Sequence, residues 1–265
     1  MKEPVQLEER SPGVWELTLN RPERHNAFDE RLIAAMSERL EQAAHQSGLR
    51  VLVLRGTGKH FSAGADLNWM QRAATLDETQ NLADARQLAQ LLRQLDNFPS
   101  PTLALVQGAA YGGALGLVAC CDLVVAAANA RFALSEVRLG LISATISPYV
   151  LRALGPRQAR RYMLTAEVME ASIAEQLGLV HLQAAPEQSL DEAAAPLIRA
   201  IRRNGPRALT AAKLLVRDFA GQVIDEDLIE DSAHRLAELR VGAEAREGLD
   251  AFLNKRPPTW EDEDV

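Results

Sequence analysis

The sequence predicts an α/β protein built on a parallel sheet, and three observations predict it. Short apolar runs, Val51-Leu52-Val53-Leu54, Thr102–Val106 and Leu123–Ala126, alternate with stretches of helical periodicity. These runs are apolar at consecutive positions, the pattern of strands covered on both faces. The stretches between them are long enough to serve as crossovers, which parallel neighbours require.

Taken in order, Val14–Leu19 alternates with period two and stops at Asn20-Arg21-Pro22, a strand followed by a turn. Residues 29–46 place Leu32, Ile33, Met36, Leu40, Ala43 and Ala44 at helical spacing, with Asp29 as N-cap. The strand at 51–54 runs into a glycine-bearing loop over 56–66, then a helix over about 79–95 that Pro99 and Pro101 terminate. A strand over 102–106 follows, Gly112 and Gly113 open a helix reaching Cys121, and 123–126 is a further strand. From Ser189 onward strand-like runs vanish and helical patterns occupy 190–203, 206–219, 224–240 and 243–253. That shift predicts an α/β core over residues 1–188 and a helical C-terminal region over 189–265. No internal repeat or low-complexity segment is visible, and the acidic stretch 261–264 is expected to be solvated and mobile.

Composition narrows the function classes. The 265 residues carry 29 basic and 36 acidic side chains, a net charge of −7, which argues against a nucleic-acid binder. The length suffices to bury a full core without metal or disulfide staples. Cys120 and Cys121 are adjacent and form no disulfide framework, so a reducing, cytoplasmic setting is expected. The opening residues are polar, with no apolar run of signal-peptide type. Within the apolar stretch 103–134, the longest run without charged or amide side chains is 108–121. That is shorter than the ~20 residues of a spanning helix, so it reads as buried core rather than membrane. The five histidines lack metal-ligand spacing, and no metal site is expected. Neither a phosphate-loop motif nor a Gly-x-Ser-x-Gly nucleophile elbow is present.

Two glycine-containing turns remain: His60-Phe61-Ser62-Ala63-Gly64-Ala65-Asp66-Leu67 and Gln107-Gly108-Ala109-Ala110-Tyr111-Gly112-Gly113. Each follows an apolar strand and precedes a helical pattern, so main-chain N–H groups can point into a cleft at a helix N-terminus. Either turn alone also serves simple tight packing. Together with Leu19-Asn20-Arg21-Pro22-Glu23-Arg24-His25-Asn26-Ala27, Ala130–Gly140 and the closing Phe252-Leu253-Asn254-Lys255-Arg256-Pro257-Pro258-Thr259-Trp260, the chain resembles the crotonase (enoyl-CoA hydratase/isomerase) superfamily along nearly its whole length. The resemblance implies a crotonase-type ββα spiral core, a C-terminal helical oligomerisation region and a homotrimer or dimer of trimers. It also implies an acyl-CoA thioester substrate whose coenzyme A is part of the substrate, with no separate cofactor. The main-chain N–H groups of Ala65 and Gly113 are implied as an oxyanion hole for the thioester oxygen. Arg24, Asn26, Ala27, Ala63, Asp66, Leu67, Asn68, Gly112, Gly116 and Lys255 are the implied substrate-binding positions, Arg24 and Lys255 toward CoA phosphates.

Hydratases of this superfamily typically use two glutamates. The resemblance places one on Glu136, in Leu134-Ser135-Glu136-Val137-Arg138, and the other on position 116, which holds glycine. An apolar setting suits Glu136 to proton transfer; its alternative is a structural pairing with Arg138. Gly116 is expected to free space for a branch at C3. Leu115–Asp122 together with Leu141-Ile142-Ser143-Ala144-Thr145-Ile146-Ser147-Pro148-Tyr149-Val150 is similar to bacterial hydratases of 3-methylglutaconyl-CoA and isohexenylglutaconyl-CoA, from leucine and acyclic terpene catabolism. Ser143 stands where those relatives usually carry proline. The alternatives are a Δ3,Δ2-enoyl-CoA isomerase using the single glutamate, and a non-catalytic RNA-binding or scaffold protein. Net charge and the presence of Glu136 weigh against the last.

Overall fold

The computed structural model describes residues 3–261, so most of the acidic stretch 261–264 lies outside the described residues. Strands β1 (Val5–Ser11) and β2 (Val14–Leu19) precede helix α1 (Glu30–Ala44), strand β3 (Val51–Gly56), and helices α2 (Leu67–Ala73) and α3 (Glu78–Asp96). Next come β4 (Thr102–Val106), β5 (Ala109–Tyr111), α4 (Gly113–Cys120), β6 (Leu123–Ala126) and β7 (Arg131–Ala133). Then follow α5 (Ser147–Thr165), β8 (Met169–Glu170), α6 (Ala171–Gln176) and β9 (Leu182–Gln183). Helices α7 (Leu190–Arg203), α8 (Pro206–Phe219), α9 (Glu226–Arg240) and α10 (Ala243–Leu253) close the chain.

The main sheet has the order β1-β2-β3-β4-β6-β9, parallel from β2 onward, with β1 antiparallel at its edge. A second sheet, β5-β7-β8, lies alongside. The continuous apolar runs are explained by burial on both faces. Along β3, Leu52 and Leu54 join the larger core under α1, α3, α4 and α5, while Val51 and Val53 face the opposite side. Along β4, Ala104 and Val106 alternate with Leu103 and Leu105 in the same way.

The opposite side is covered by α7, whose Ala193, Ala194 and Ile201 are buried against those valines and leucines. Arg55 of β3 bonds both Glu16 of β2, a carboxylate only 5% exposed, and Asp191 at the start of α7. This corrects the division at 188/189: α7 belongs to the α/β core, because the second face of the sheet needs a cover. Helices α8 and α9 bury no residue of their own, and α10 buries Ala251.

Apart from β1, a seven-residue edge strand whose mostly exposed positions are polar, the elements without a signature in the sequence are short or interrupted. β5, β7, β8 and β9 span two or three residues, too few to display a period. α5 consists of two helical pieces meeting at Gly155, whose φ of +72° and ψ of 157° break the helix before Pro156. No helix among the described residues is long and apolar enough to cross a membrane.

Candidate active site

The two glycine turns leave the same end of the main sheet, from the C-termini of the adjacent parallel strands β3 and β4. Main-chain hydrogen bonds stitch them together. Phe61 N–H donates to Gln107 O at 2.7 Å, Ser62 N–H to Ala109 O at 2.9 Å and Tyr111 N–H to Ser62 O at 3.2 Å. On the other flank, Phe28 N–H donates to Gly64 O at 2.7 Å and Asp66 N–H to Phe28 O at 2.8 Å. Between those bonds, Ala65 N–H has no acceptor among the described residues, and Gly113 N–H, first in α4, has none either.

Glycine is required at several positions here, two of them beside the unspent donors. Gly64 has φ +94°, and a Cβ there would lie 3.1 Å from Tyr111 O, so any side chain would wedge the turns apart. Gly112 has φ +55° and ψ −124°, outside the regions open to L-residues. Its own N–H is spent on Ala133 O at 2.9 Å, which pins the preceding peptide, while the N–H of the following peptide, that of Gly113, is left without an acceptor among the described residues. α4 is buried from Ala114 to Cys120, as an all-round apolar helix must be, and its N-terminus adds positive potential at the donor.

Glu136 faces this construction. It begins a 3-10 turn, Glu136–Leu139, and its Oε1 would lie 3.2 Å from a Cβ on Gly112. Its Oε2 is buried without a hydrogen-bond partner. Arg138 is not its partner: the Arg138 guanidinium donates to Ala166 O at 2.7 Å. The unspent Gly113 N–H and the Glu136 carboxylate thus adjoin Gly112, the unspent Ala65 N–H lies on the turn stitched to it, and Phe28 and Leu88 form an apolar wall beside Gly113. Such a set can bind an oxygen on which negative charge grows and move a proton beside it.

The family model described as "Enoyl-CoA hydratase/isomerase" matches residues 9–263. The chain belongs to that family. It is 36% identical to the 2,3-dehydroadipyl-CoA hydratase of Escherichia coli, covering 95% of this chain and 96% of that protein. It is 32% identical to the 1,2-epoxyphenylacetyl-CoA isomerase of the same organism, covering 94% and 95%. Among solved structures, an enoyl-CoA hydratase from Shewanella pealeana superposes with a TM-score of 0.93 at 47% identity, covering 97% and 96%. The mixed α/β architecture with its C-terminal helices is thus the crotonase fold that the sequence motifs imply. Hydratases and isomerases both occur among these relatives, so the family itself specifies action on CoA esters, not which reaction.

The remaining family-implied positions fall into three groups. Ala63, Ala65, Leu67 and Asn68 are exposed along the first turn, Leu67 at 75%, and line its open side. Asn26, Ala27 and Asp66 are buried beneath it. Asn26 is fully enclosed; its side chain accepts from Arg21 N–H and donates to Thr57 O and His60 O, each at 2.8–2.9 Å. Asp66 caps α2 through the N–H groups of Asn68 and Trp69 and lies 3.8 Å from Arg21. The side chains of Asn26 and Asp66 therefore hold the turn in shape. Arg24 is exposed and, with Arg31, lines a cavity of about 610 Å³; neither has an ion-pair partner among the described residues, whereas Arg21 and Arg72 in the same wall are paired with Asp29 and Glu30.

Two positions remain. A Cβ on Gly116 would run into Ile146 Cγ2 and lie 2.8 Å from Ile146 Cβ and 3.3 Å from Leu92. The expected free room at Gly116 is thus corrected: the space is filled by Ile146, itself 1% exposed. Lys255 sits past the end of α10, where the returning chain lays Trp260 over Gly248 and bonds Trp260 O to Arg50, one residue before β3. No hydrogen bond or ion pair among the described residues joins Lys255 to the two glycine turns. Sequence reading missed Phe28, Leu88 and Ile146; Phe28 follows directly on the Asn26-Ala27 motif, but the other two carry no local signal.

Proposed function

We propose that this protein is a hydro-lyase that adds water across the C2–C3 double bond of a 3-branched glutaconyl-CoA, such as 3-methylglutaconyl-CoA or isohexenylglutaconyl-CoA. The observation that carries the reading is the unpartnered Glu136 carboxylate oxygen beside the unspent Ala65 and Gly113 N–H groups. In this reading the two N–H groups hold the thioester oxygen, on which enolate charge accumulates; one such donor is worth ~2.7–4 kcal/mol. Glu136 takes a proton from water as the water oxygen bonds to C3, and returns that proton to C2. One carboxylate doing both steps delivers oxygen and hydrogen to the same face of the double bond.

Supporting features come from several places. The acyl group in the name of the Escherichia coli dehydroadipyl-CoA relative ends in a second carboxyl, as glutaconyl does, and that carboxylate helps place the water that a second glutamate would otherwise hold. Leu139, Leu141 and Ile142, exposed on the segment that carries Glu136, suit a hydrocarbon branch. Arg24 and Arg31 suit the CoA phosphates. A cytoplasmic setting goes with the two free, buried thiols. A homotrimer or dimer of trimers goes with α8, α9 and α10, which enclose a cavity of about 910 Å³ lined partly by Leu215, Leu236 and Leu249; Lys255 of one copy then serves the site of another.

Position 116 offers no carboxylate and has no room for one, which also favours a Δ3,Δ2-enoyl-CoA isomerase, where a single glutamate moves a proton between C2 and C4. Incubation with 3-methylglutaconyl-CoA, isohexenylglutaconyl-CoA and a 3-enoyl-CoA separates the readings. Hydration of a branched glutaconyl ester is the expected result; turnover of the 3-enoyl ester alone assigns the isomerase. Glu136→Gln should lower kcat ~10²- to 10⁴-fold in either case, and full activity in that variant would remove Glu136 from the chemistry.

A further inference from the structure

Glu136 has no polar contact to hold its side chain in place, yet proton transfer demands placement to within a fraction of an ångström. No protein donor is hydrogen-bonded to either carboxylate oxygen among the described residues, and Oε2 is buried without a partner. Side chains along the surrounding span are little buried. From Leu134 to Ile146, both 1% exposed, no intervening residue is buried, and Leu139, Leu141 and Ile142 are 56–76% exposed. Glu136 thus stands on a span fixed by packing at its two ends, with Arg138 bonded to Ala166 O between them.

The far anchor is specific in shape. Ile146 presses its Cβ and Cγ2 into the place where a side chain on Gly116 would stand. Gly116 lies one helical turn beyond Gly113 on α4, on the same face, since residues three apart are neighbours on a helix. Along α3, Leu88 and Leu92 repeat the relation, the first against Gly113 and the second against Gly116. The helix that presents the free N–H is therefore gripped one turn down by the residue that ends the Glu136 span. Hydrogen bonds shape the span between: Leu141 N–H donates to Glu136 O at 3.1 Å, and Ser147 Oγ–H to Ser143 O at 2.6 Å.

We infer that Ile146 is a positioning residue for Glu136: seated in the notch that Gly116 leaves, it fixes the carboxylate against the oxyanion turn. Gly116 is glycine to receive Ile146, and the same contact shuts out a second carboxylate at that position. The inference rests on the reading of Glu136 as the acid/base group, not on the identity of the acyl chain.

Ile146→Val and Ile146→Leu test it, because valine keeps Cβ and Cγ2, the two atoms in the notch, whereas leucine keeps the volume but moves the branch one carbon out. With any CoA ester that the wild type turns over, Ile146→Val should hold kcat within about threefold. Ile146→Leu and Gly116→Ala should lower kcat roughly 100-fold, as an ångström of misplacement does, with KM within about threefold because CoA contacts are untouched. Equal kcat for the leucine and valine variants, or losses falling on KM, would overturn the inference. Crystal structures of the wild type and Ile146→Leu supply a readout independent of activity: Glu136 Oε1 should be displaced from Gly112, and an unmoved carboxylate refutes the idea. If the wild type turns over no ester of the panel, the proposed function fails, and these two structures still decide the role of Ile146.

Discussion

Gly112→Ala probes the junction between the donor turn and the carboxylate. Two costs can be worked from its geometry. At φ +55° and ψ −124° an alanine is strained, about 1–3 kcal/mol for a residue held in such a region. Its Cβ would also stand 3.2 Å from Glu136 Oε1, so the carboxylate must retreat by a few tenths of an ångström. If the backbone relaxes instead, the 112–113 peptide rotates and Gly113 N–H leaves its direction. Loss of one such donor costs ~2.7–4 kcal/mol, or about 100- to 1,000-fold in kcat at 1.36 kcal/mol per tenfold. Gly48→Ala is the control: φ is +82°, nothing lies within 4 Å of its Cβ position, and it sits between α1 and β3 away from the turns. Urea unfolding should show both variants destabilised, while steady-state turnover of the proposed glutaconyl-CoA substrate, followed by loss of the conjugated thioester absorbance, should fall only for Gly112→Ala. A folded Gly112→Ala enzyme with kcat within threefold of Gly48→Ala would refute the reasoning.

Three further outcomes follow from side chains around the core. Asn26→Ala removes three hydrogen bonds from an enclosed site, leaving polar groups unsatisfied at about 1–3 kcal/mol each; a urea midpoint equal to wild type would show that the latch is idle. Burial holds His181 below the usual histidine range, and its Nδ1 accepts from Val124 N–H at 3.1 Å. The unfolded chain therefore binds the proton first, so stability should decline as pH falls from about 7 through the ordinary histidine value near 6.5. His60, lowered by burial and by His25, adds to the same trend. His181→Asn should flatten the decline between pH 7 and 5.5, and an equally steep decline would disprove the assignment. Burial pushes the Cys121 thiol up to about 12 and Cys120 higher still; a thiol reagent at pH 8 should label neither in the native protein and both after unfolding, as titration of the released chromophore will show.

The parts of the fold legible in the sequence are those whose burial leaves a period. β3 and β4 are apolar at successive positions because both faces are covered, and α1 shows its stripe because one face is. α7 is equally legible as a helix, but its partner is not. A sequence shows that a helix has an apolar face, and cannot show that this face meets Val53 and Leu105 rather than α8. The site divides similarly. Both glycine turns and Glu136 stand out because special backbone angles and an isolated carboxylate in an apolar stretch are local signals. The missing carboxylate at Gly116 is just as visible, yet what fills its place comes from thirty positions downstream. Ile146 sits in Ser-Ala-Thr-Ile-Ser, where one apolar residue shows no periodicity, and its role exists only through a contact with another helix.

The stitch that joins the two turns is mostly main chain, reinforced where His60 Nδ1 accepts from Ala109 N–H and the Gln107 amide donates to Gly56 O and Gly58 O. Phe61 to Gln107, Ser62 to Ala109, Tyr111 to Ser62, Phe28 to Gly64 and Asp66 to Phe28 are all main-chain bonds. On the proposed reading, the geometry that receives an anionic oxygen rests on glycine at 64 and 112 and on enclosed side chains such as Asn26 and Asp66, not on the exposed residues around it. In that reading, charge stabilisation and acyl choice are separately inherited. Drift at exposed positions such as Ala63, Leu67 or Ile142 can retune which thioester enters while the anion receptor stays constant, and a new reaction would need little more than a carboxylate moved to a different anchor.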